Sequence, residues 1–133
     1  MVQDITIEAD ADQVWDAVRD VGAVHRRLTP RHVLDTRIEG DTRHLTMPGG
    51  AVIRELIVSV DDDLRRLAYS AVEGFTIPLT HHHASFQVLP EGPGRCRLRW
   101  TTDILPHAMA EQVRLRVTRG AQVMKETLEQ RTA

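Results

Sequence analysis

The chain has 133 residues, a formal net charge of −2 at pH 7 and a single cysteine, Cys96. This length suits one domain spanning residues 1–133, and one cysteine excludes both an intramolecular disulfide and a multi-cysteine metal site. The near balance of 17 basic and 19 acidic residues gives no electrostatic reason to expect nucleic-acid binding.

The first 30 residues predict one strand and two short helices. Residues 2–8 alternate as in a strand, and they lack the basic and apolar regions of a secretory signal. Asp10, followed three positions later by Gln13, predicts a capping box at the start of the first helix. A second short helix is predicted over residues 23–28, before Pro30. Since no apolar run approaches the roughly 20 residues that cross a bilayer, we expect a cytoplasmic protein without a membrane span.

Six further strands and one long helix are predicted in the rest of the chain. Turn residues separate the alternating segments 32–39, 42–47, 51–60, 65–72, 80–89 and 95–104. Most of these turns are short enough for antiparallel neighbours, although the connection over 73–79 is longer. A final helix is predicted over 107–130, because apolar residues recur there at helical spacing: Met109, Val113, Val117, Ala121, Met124 and Leu128.

This order of elements predicts an α+β fold. A curved, seven-stranded antiparallel sheet would wrap around the long C-terminal helix, with two short helices after the first strand. A sheet wrapped around a helix can leave space between them, and a ligand would lie in that space.

Strand alternation indicates which side chains face the helix. In "THHHASFQVL" the apolar residues Ala84, Phe86 and Val88 must face inward, so His82 also faces inward, while His81 and His83 face outward. By the same argument Tyr69, Leu98 and Trp100 point toward the helix. Side chains of consecutive strand residues diverge, so the three histidines cannot bind one metal ion, and we expect neither a metal site nor another cofactor.

The strand "AVIRELIVSV" leaves its orientation open, because both of its faces carry apolar residues and a charge. Glu55 or Arg54 could enter the cavity, and the same holds for Arg43 on the preceding strand. The alternative is that these charges form exposed ion pairs between neighbouring strands.

Four segments, followed by the long final helix, resemble a known family. They are "ITIEADADQVWDAVRDVGAVHR", "RELIVSVDDDLRRLAYSAV", "IPLTHHHASFQV" and "RCRLRWTTDI", and they are similar to the polyketide cyclase/dehydrase and lipid-transport family of the SRPBCC superfamily. The resemblance implies the helix-grip fold that START domains and the birch-pollen allergen share, with an apolar or aromatic ligand between sheet and helix. Such sequences often carry an aromatic residue where this chain has His82, so the resemblance also implies a more polar pocket here.

Three functions remain open on this basis. The first is binding of a hydrophobic, polyketide- or lipid-like molecule in a cavity lined by Trp15, Arg43, Ile53, Glu55, Tyr69, His82, Phe86, Leu98, Trp100, Val113, Val117 and Met124. The second is cyclase or dehydratase chemistry, in which a neutral His82 takes a proton beside a carbonyl and Tyr69 donates to the developing enolate. The third is a non-catalytic protein-interaction domain, with a homodimer as one possible form.

Overall fold

The computed structural model describes residues 1–130, so the last three residues of the predicted domain lie outside it. The elements are β1 (Val2–Ile7), α1 (Ala11–Arg19), α2 (Val24–Arg27), β2 (Asp35–Glu39), β3 (Thr42–Thr46), β4 (Val52–Asp61), β5 (Arg66–Glu73), β6 (His81–Pro90), β7 (Cys96–Leu105), a 3₁₀ turn (His107–Met109) and α3 (Ala110–Gln130). The predicted types and order of the elements are confirmed, and their ends shift by a few residues. No helix within residues 1–130 is long and apolar enough to cross a membrane.

All seven strands form one antiparallel sheet in the order β1-β7-β6-β5-β4-β3-β2. Strands β2 to β7 follow one another as a meander because short turns connect most of them. β1 forms the edge of the sheet opposite β2 and pairs with β7. In this pairing Ile5 lies opposite Leu98 and Ile7 opposite Cys96. The β4–β5 ladder is irregular at two points, between Arg54 and Glu55 and between Ile57 and Ser59. Such irregularities bend a strand and increase its twist, which helps the sheet to curve.

The concave face of the sheet has a filled half and a half that contains a cavity. The filled half lies under α1, near the β4–β5 and β6–β7 turns, and its fully buried side chains are Ile7, Val14, Val18, Leu67, Val88, Cys96 and Leu98. At the other half, near the β5–β6 loop (residues 74–80), Val113 and Val117 of α3 pack with Ile77 in a separate apolar cluster. The resulting division along the strands determines where space remains between the sheet and α3.

The predicted capping box at Asp10 is wrong. Asp10 is the N-cap residue of α1, but its side chain makes no capping hydrogen bond. Its carboxylate instead accepts a hydrogen bond from the backbone N–H of Gly94, with 2.6 Å between Oδ1 and N. The β6–β7 turn therefore supplies a competing donor and is tied to the start of α1.

We expect Leu98→Ala to lower the free energy of unfolding by roughly 2–5 kcal/mol, because Leu98 is fully buried in the filled half. Urea denaturation followed by circular dichroism measures this loss. Leu115 is the matched control, since it is 61% exposed on α3, and Leu115→Ala should change the stability by no more than about 0.5 kcal/mol. Equal losses for the two variants would contradict the placement of Leu98 in the core.

Candidate functional site

A cavity of about 250 Å³ lies between the sheet and α3, in the half of the concave face that α1 leaves uncovered. Strands β3 to β7, the β5–β6 loop and α3 all contribute to its wall. Most of the predicted ligand-binding residues come together there, namely Arg43, Ile53, Glu55, Tyr69, His82, Phe86, Trp100, Val113, Val117 and Met124.

Trp15 and Leu98 do not line this cavity, and their predicted placement in its wall was wrong. Leu98 lies opposite Val88 in the filled half of the sheet. Trp15 is buried in the same half, and its indole N–H donates to Asp62 Oδ1 in the β4–β5 turn at 2.9 Å. Alternation and helical spacing indicate the face on which a side chain lies, but not whether that part of the element borders the cavity. Trp15 and Leu98 face inward, as predicted, but lie in the filled half.

Several residues of the cavity wall were not predicted. They are Thr29, Val33, Leu45, Met47, Phe75, Thr76, Ile77, Leu79, Thr102, Arg116 and Gly120. Those in the β5–β6 loop carry no periodic pattern from which their direction could be inferred. Thr102 follows Leu98 and Trp100 on the same face of β7, yet nothing in the sequence distinguished it from an ordinary core threonine.

Gly120 is the one omitted wall residue for which the sequence carries a signal, because a glycine within a long helix is unfavourable unless packing requires it. A Cβ atom at Gly120 would lie 3.1 Å from Cζ3 and 3.2 Å from Cη2 of Trp100. The glycine therefore allows the indole of Trp100 to lie close against α3 in the wall of the cavity.

Three aromatic residues form the sheet side of the wall. Phe86 and Trp100 are register partners on β6 and β7, with ring centroids 4.8 Å apart, and Tyr69 stacks on Phe86 at 5.8 Å. The indole N–H of Trp100 donates to the Tyr69 hydroxyl at 3.1 Å. Burial, followed by the charge of Glu55, raises the pKa of Tyr69, so the phenol remains protonated. Its proton has no acceptor among residues 1–130 and is available to a ligand.

Arg43 and Glu55 form a buried ion pair in the cavity wall. They are register partners on β3 and β4; Glu55 Oε1 accepts a hydrogen bond from Nε of Arg43 at 2.9 Å and lies 2.7 Å from Nη2. Only 4% and 9% of their side chains are exposed, and the guanidinium lies 5.3 Å from the ring centroid of Tyr69. The sequence left open whether these charges enter the cavity or form exposed ion pairs between strands. In the structure they form an ion pair between strands, and this pair is buried and faces the cavity. Arg54 faces outward and pairs with Glu73 at 2.8 Å.

His82 is held by the backbone of β5. Register pairing between β5 and β6 stops at Tyr69 and Ala84, so Ala71 has no register partner on β6, and its N–H donates to Nδ1 of His82 at 3.0 Å. Burial, with smaller contributions from His83 and His81, lowers the pKa of His82 to about 4, so the ring is neutral at pH 7. A neutral imidazole that accepts at Nδ1 carries its proton on Nε2. His82 therefore offers a donor to the cavity, which disfavours the predicted role as a base.

His81 and His83 do not line the cavity. Within residues 1–130, no three histidine, cysteine, aspartate or glutamate side chains lie close enough together to hold a metal ion.

We expect His82→Asn to flatten the acid dependence of stability. The folded-state pKa of about 4 lies below the ordinary value of 6.5, so the unfolded chain binds the proton more tightly, and stability present above pH 6.5 is lost as the pH falls toward 4. Asparagine can still accept from the Ala71 N–H but does not titrate in this range. Denaturation of both proteins from pH 4 to 7 measures the difference, and the exposed His107→Gln is the control. Parallel curves for wild type and His82→Asn would contradict the buried, neutral histidine.

We expect Glu55→Gln to cost roughly 3–5 kcal/mol of stability, because it leaves the Arg43 charge buried without its partner. The double variant Arg43→Met/Glu55→Leu should recover most of that loss, since it removes both charges. Urea denaturation of Arg43→Met, Glu55→Leu and the double variant gives the coupling energy. Additive losses would show that the pair is not the dominant interaction of either side chain.

Comparison with known proteins identifies the family. The sequence profile of the family "Polyketide cyclase / dehydrase and lipid transport" matches residues 1–129. No curated protein is significantly similar in sequence.

Several solved structures share the fold of this chain at low sequence identity. A protein of Bacillus thuringiensis superposes with a TM-score of 0.81 at 19% identity, over 99% of this chain and 96% of that one. A START superfamily protein of Mycobacterium smegmatis gives 0.79 at 14% identity, over 98% and 97%. Norcoclaurine synthase of Thalictrum flavum, in complex with dopamine and hydroxybenzaldehyde, gives 0.76 at 21% identity, over 99% and 84%. These likenesses establish the helix-grip fold, and the profile match shows that the chain belongs to the polyketide cyclase/dehydrase and lipid-transport family.

Proposed function

We propose that this protein binds a hydrophobic or aromatic small molecule in the cavity between the sheet and α3. The observation that supports this is a cavity of about 250 Å³ whose wall is mostly apolar and carries a few inward polar groups. Pockets of this kind are typical of small-molecule sites, in which apolar area provides affinity and a few polar groups orient the ligand. The volume lies just below the roughly 300–1,000 Å³ common for drug-sized ligands, so a molecule of about two fused rings is a suitable size.

The family relationship supports the same conclusion. The description of the family covers ring-forming enzymes and lipid carriers, and both classes handle apolar molecules. Norcoclaurine synthase, which shares the fold, was determined with two small aromatic compounds bound. Because identity to that enzyme is only 21%, it supports the size and class of ligand and not the reaction.

Catalysis of the cyclase or dehydratase type is the second candidate. Tyr69 O–H and His82 Nε2–H are two donors that could hold a developing enolate. A base is less evident, because His82 presents a donor and the Glu55 carboxylate is already held in an ion pair with Arg43. Binding therefore has firmer support than turnover.

We expect wild-type protein to bind 2-naphthol saturably with one site, measured by isothermal titration calorimetry, and with a negative heat-capacity change from burial of apolar surface. Gly120→Leu should weaken this binding by about tenfold or more, because the new side chain would meet Trp100 and occupy the cavity. Leucine is a better helix former than glycine, which offsets part of the cost of the contact with Trp100, and circular dichroism checks that the variant is folded.

The matched control is Arg119→Leu, which places the same side chain on the exposed face of α3 one residue earlier. It should bind 2-naphthol as the wild type does. Equal affinity in wild type and Gly120→Leu would show that the probe binds elsewhere, and the proposal of a ligand cavity would be wrong. Native mass spectrometry of the protein purified from its own host would then identify any molecule that remains bound.

A further inference from the structure

Two buried threonine hydroxyls in the cavity wall have no protein partner. Thr29 is 6% exposed and Thr102 is 2% exposed, and both line the cavity. Neither Oγ1 atom forms a hydrogen bond with any of residues 1–130. Most buried polar side-chain atoms are paired, so two unpaired hydroxyls in the wall of one cavity require an explanation. A ligand that supplies the missing partners is such an explanation.

The order of the strands indicates that the two hydroxyls lie toward opposite ends of the cavity. Thr29 follows α2 on the β3 side, where the next residues are fixed to that edge by a hydrogen bond from Leu34 N–H to Thr46 O at 2.8 Å. Thr102 lies on β7, and strands β4, β5 and β6 separate it from β3. A ligand that reaches both hydroxyls must therefore extend across most of the cavity.

Thr102 shares its end of the cavity with two further polar groups. Ala84 on β6 is the register partner of Thr102 on one side and of Tyr69 on the other. His82 precedes Ala84 by two residues on the same face of β6. Cross-strand partners lie about 5 Å apart at Cβ, so these polar side chains surround one small alanine. Tyr69 O–H and His82 Nε2–H are both donors, which makes this end suited to a carbonyl or hydroxyl oxygen.

The Thr29 end and the middle of the cavity are different in character. Val33, Leu45 and Met47 are apolar residues of the cavity wall from the α2–β2 connection and the β3 segment, and the Thr29 hydroxyl can donate or accept. Between the ends the wall carries the apolar side chains of Ile53, Phe86, Val117 and Met124, together with the Arg43–Glu55 pair, whose charges compensate each other. The polar atoms without a protein partner thus lie toward the two ends of the cavity.

We propose that the ligand is a small apolar molecule with an oxygen function at each end, one bound by Thr102 with His82 and Tyr69, and the other bound by Thr29. This inference rests on the proposed binding function and names the ligand class of the same cavity. Thr29 and Thr102 then determine specificity, because each forms a hydrogen bond with a ligand oxygen at a fixed position.

Calorimetric titration with three probes of one shape tests this class: 2,6-dihydroxynaphthalene, 2-naphthol and naphthalene. Wild-type protein should bind the diol most tightly and naphthalene most weakly. Thr102→Val and Thr29→Val, which replace a hydroxyl by a methyl group of similar size, should each weaken binding of the diol by about tenfold. Both should leave the affinity for naphthalene within about twofold, because naphthalene has no oxygen to lose. Thr118→Val, on the exposed face of α3, is the matched control.

The stability of the ligand-free protein separates a binding role from a structural one. Valine at either position removes a buried hydroxyl that has no protein partner, so the melting temperature should stay equal or rise. A fall in melting temperature together with equal loss of affinity for the diol and naphthalene would assign the hydroxyls to the fold and overturn the ligand class, while the binding function would stand. Absence of saturable binding for all three probes by wild-type protein would overturn the proposed function and this inference with it.

Discussion

The unequal cover of the concave sheet face is the constraint on which the rest of this structure depends. Seven strands curve around α3, and one helix alone cannot fill the surface that they enclose. α1 adds a second layer at one end, where Leu67, Val88 and Leu98 become fully buried. At the other end α3, the β5–β6 loop and the segment after α2 lie over the strands, and the cavity is the space that they leave. The fully buried core is therefore concentrated in one half of the molecule, and the cavity is in the other half.

The polar groups of the cavity follow from strand register. Because each residue has a partner on either side in the sheet, one inward polar side chain on one strand can meet another on the next. Arg43 and Glu55 meet directly, so their charges compensate each other inside the protein. Tyr69 and Thr102 flank Ala84 instead, and neither has the other as a partner. Arg43 and Glu55 therefore satisfy each other within the protein, whereas the arrangement around Ala84 leaves polar atoms directed at the cavity.

Much of this arrangement could be predicted from the alternation of apolar residues. It indicated that Tyr69, His82, Phe86 and Trp100 face the helix, because the opposite register would expose Phe86. It could not indicate how far along the strand the cavity begins, and for that reason Trp15 and Leu98 were assigned to it. The β5–β6 loop has no period to read, so its four wall residues were missed. Gly120 could have been found from sequence, since a glycine in mid-helix suggests close packing by a large neighbour.

The role of His82 depends on a feature that no local pattern contains. Inward direction and burial make an imidazole neutral, and a neutral imidazole can serve as a base or as a donor. The choice is made by the N–H of Ala71, which is free to bind Nδ1 only because register pairing between β5 and β6 has ended two residues earlier. With Nδ1 occupied, the proton lies on Nε2 and the ring faces the cavity as a donor. Such a group can bind an oxygen that carries negative charge, but it cannot create that charge by removing a proton. The end of one strand ladder thus makes this histidine more suitable for recognition of an oxygenated ligand than for proton abstraction.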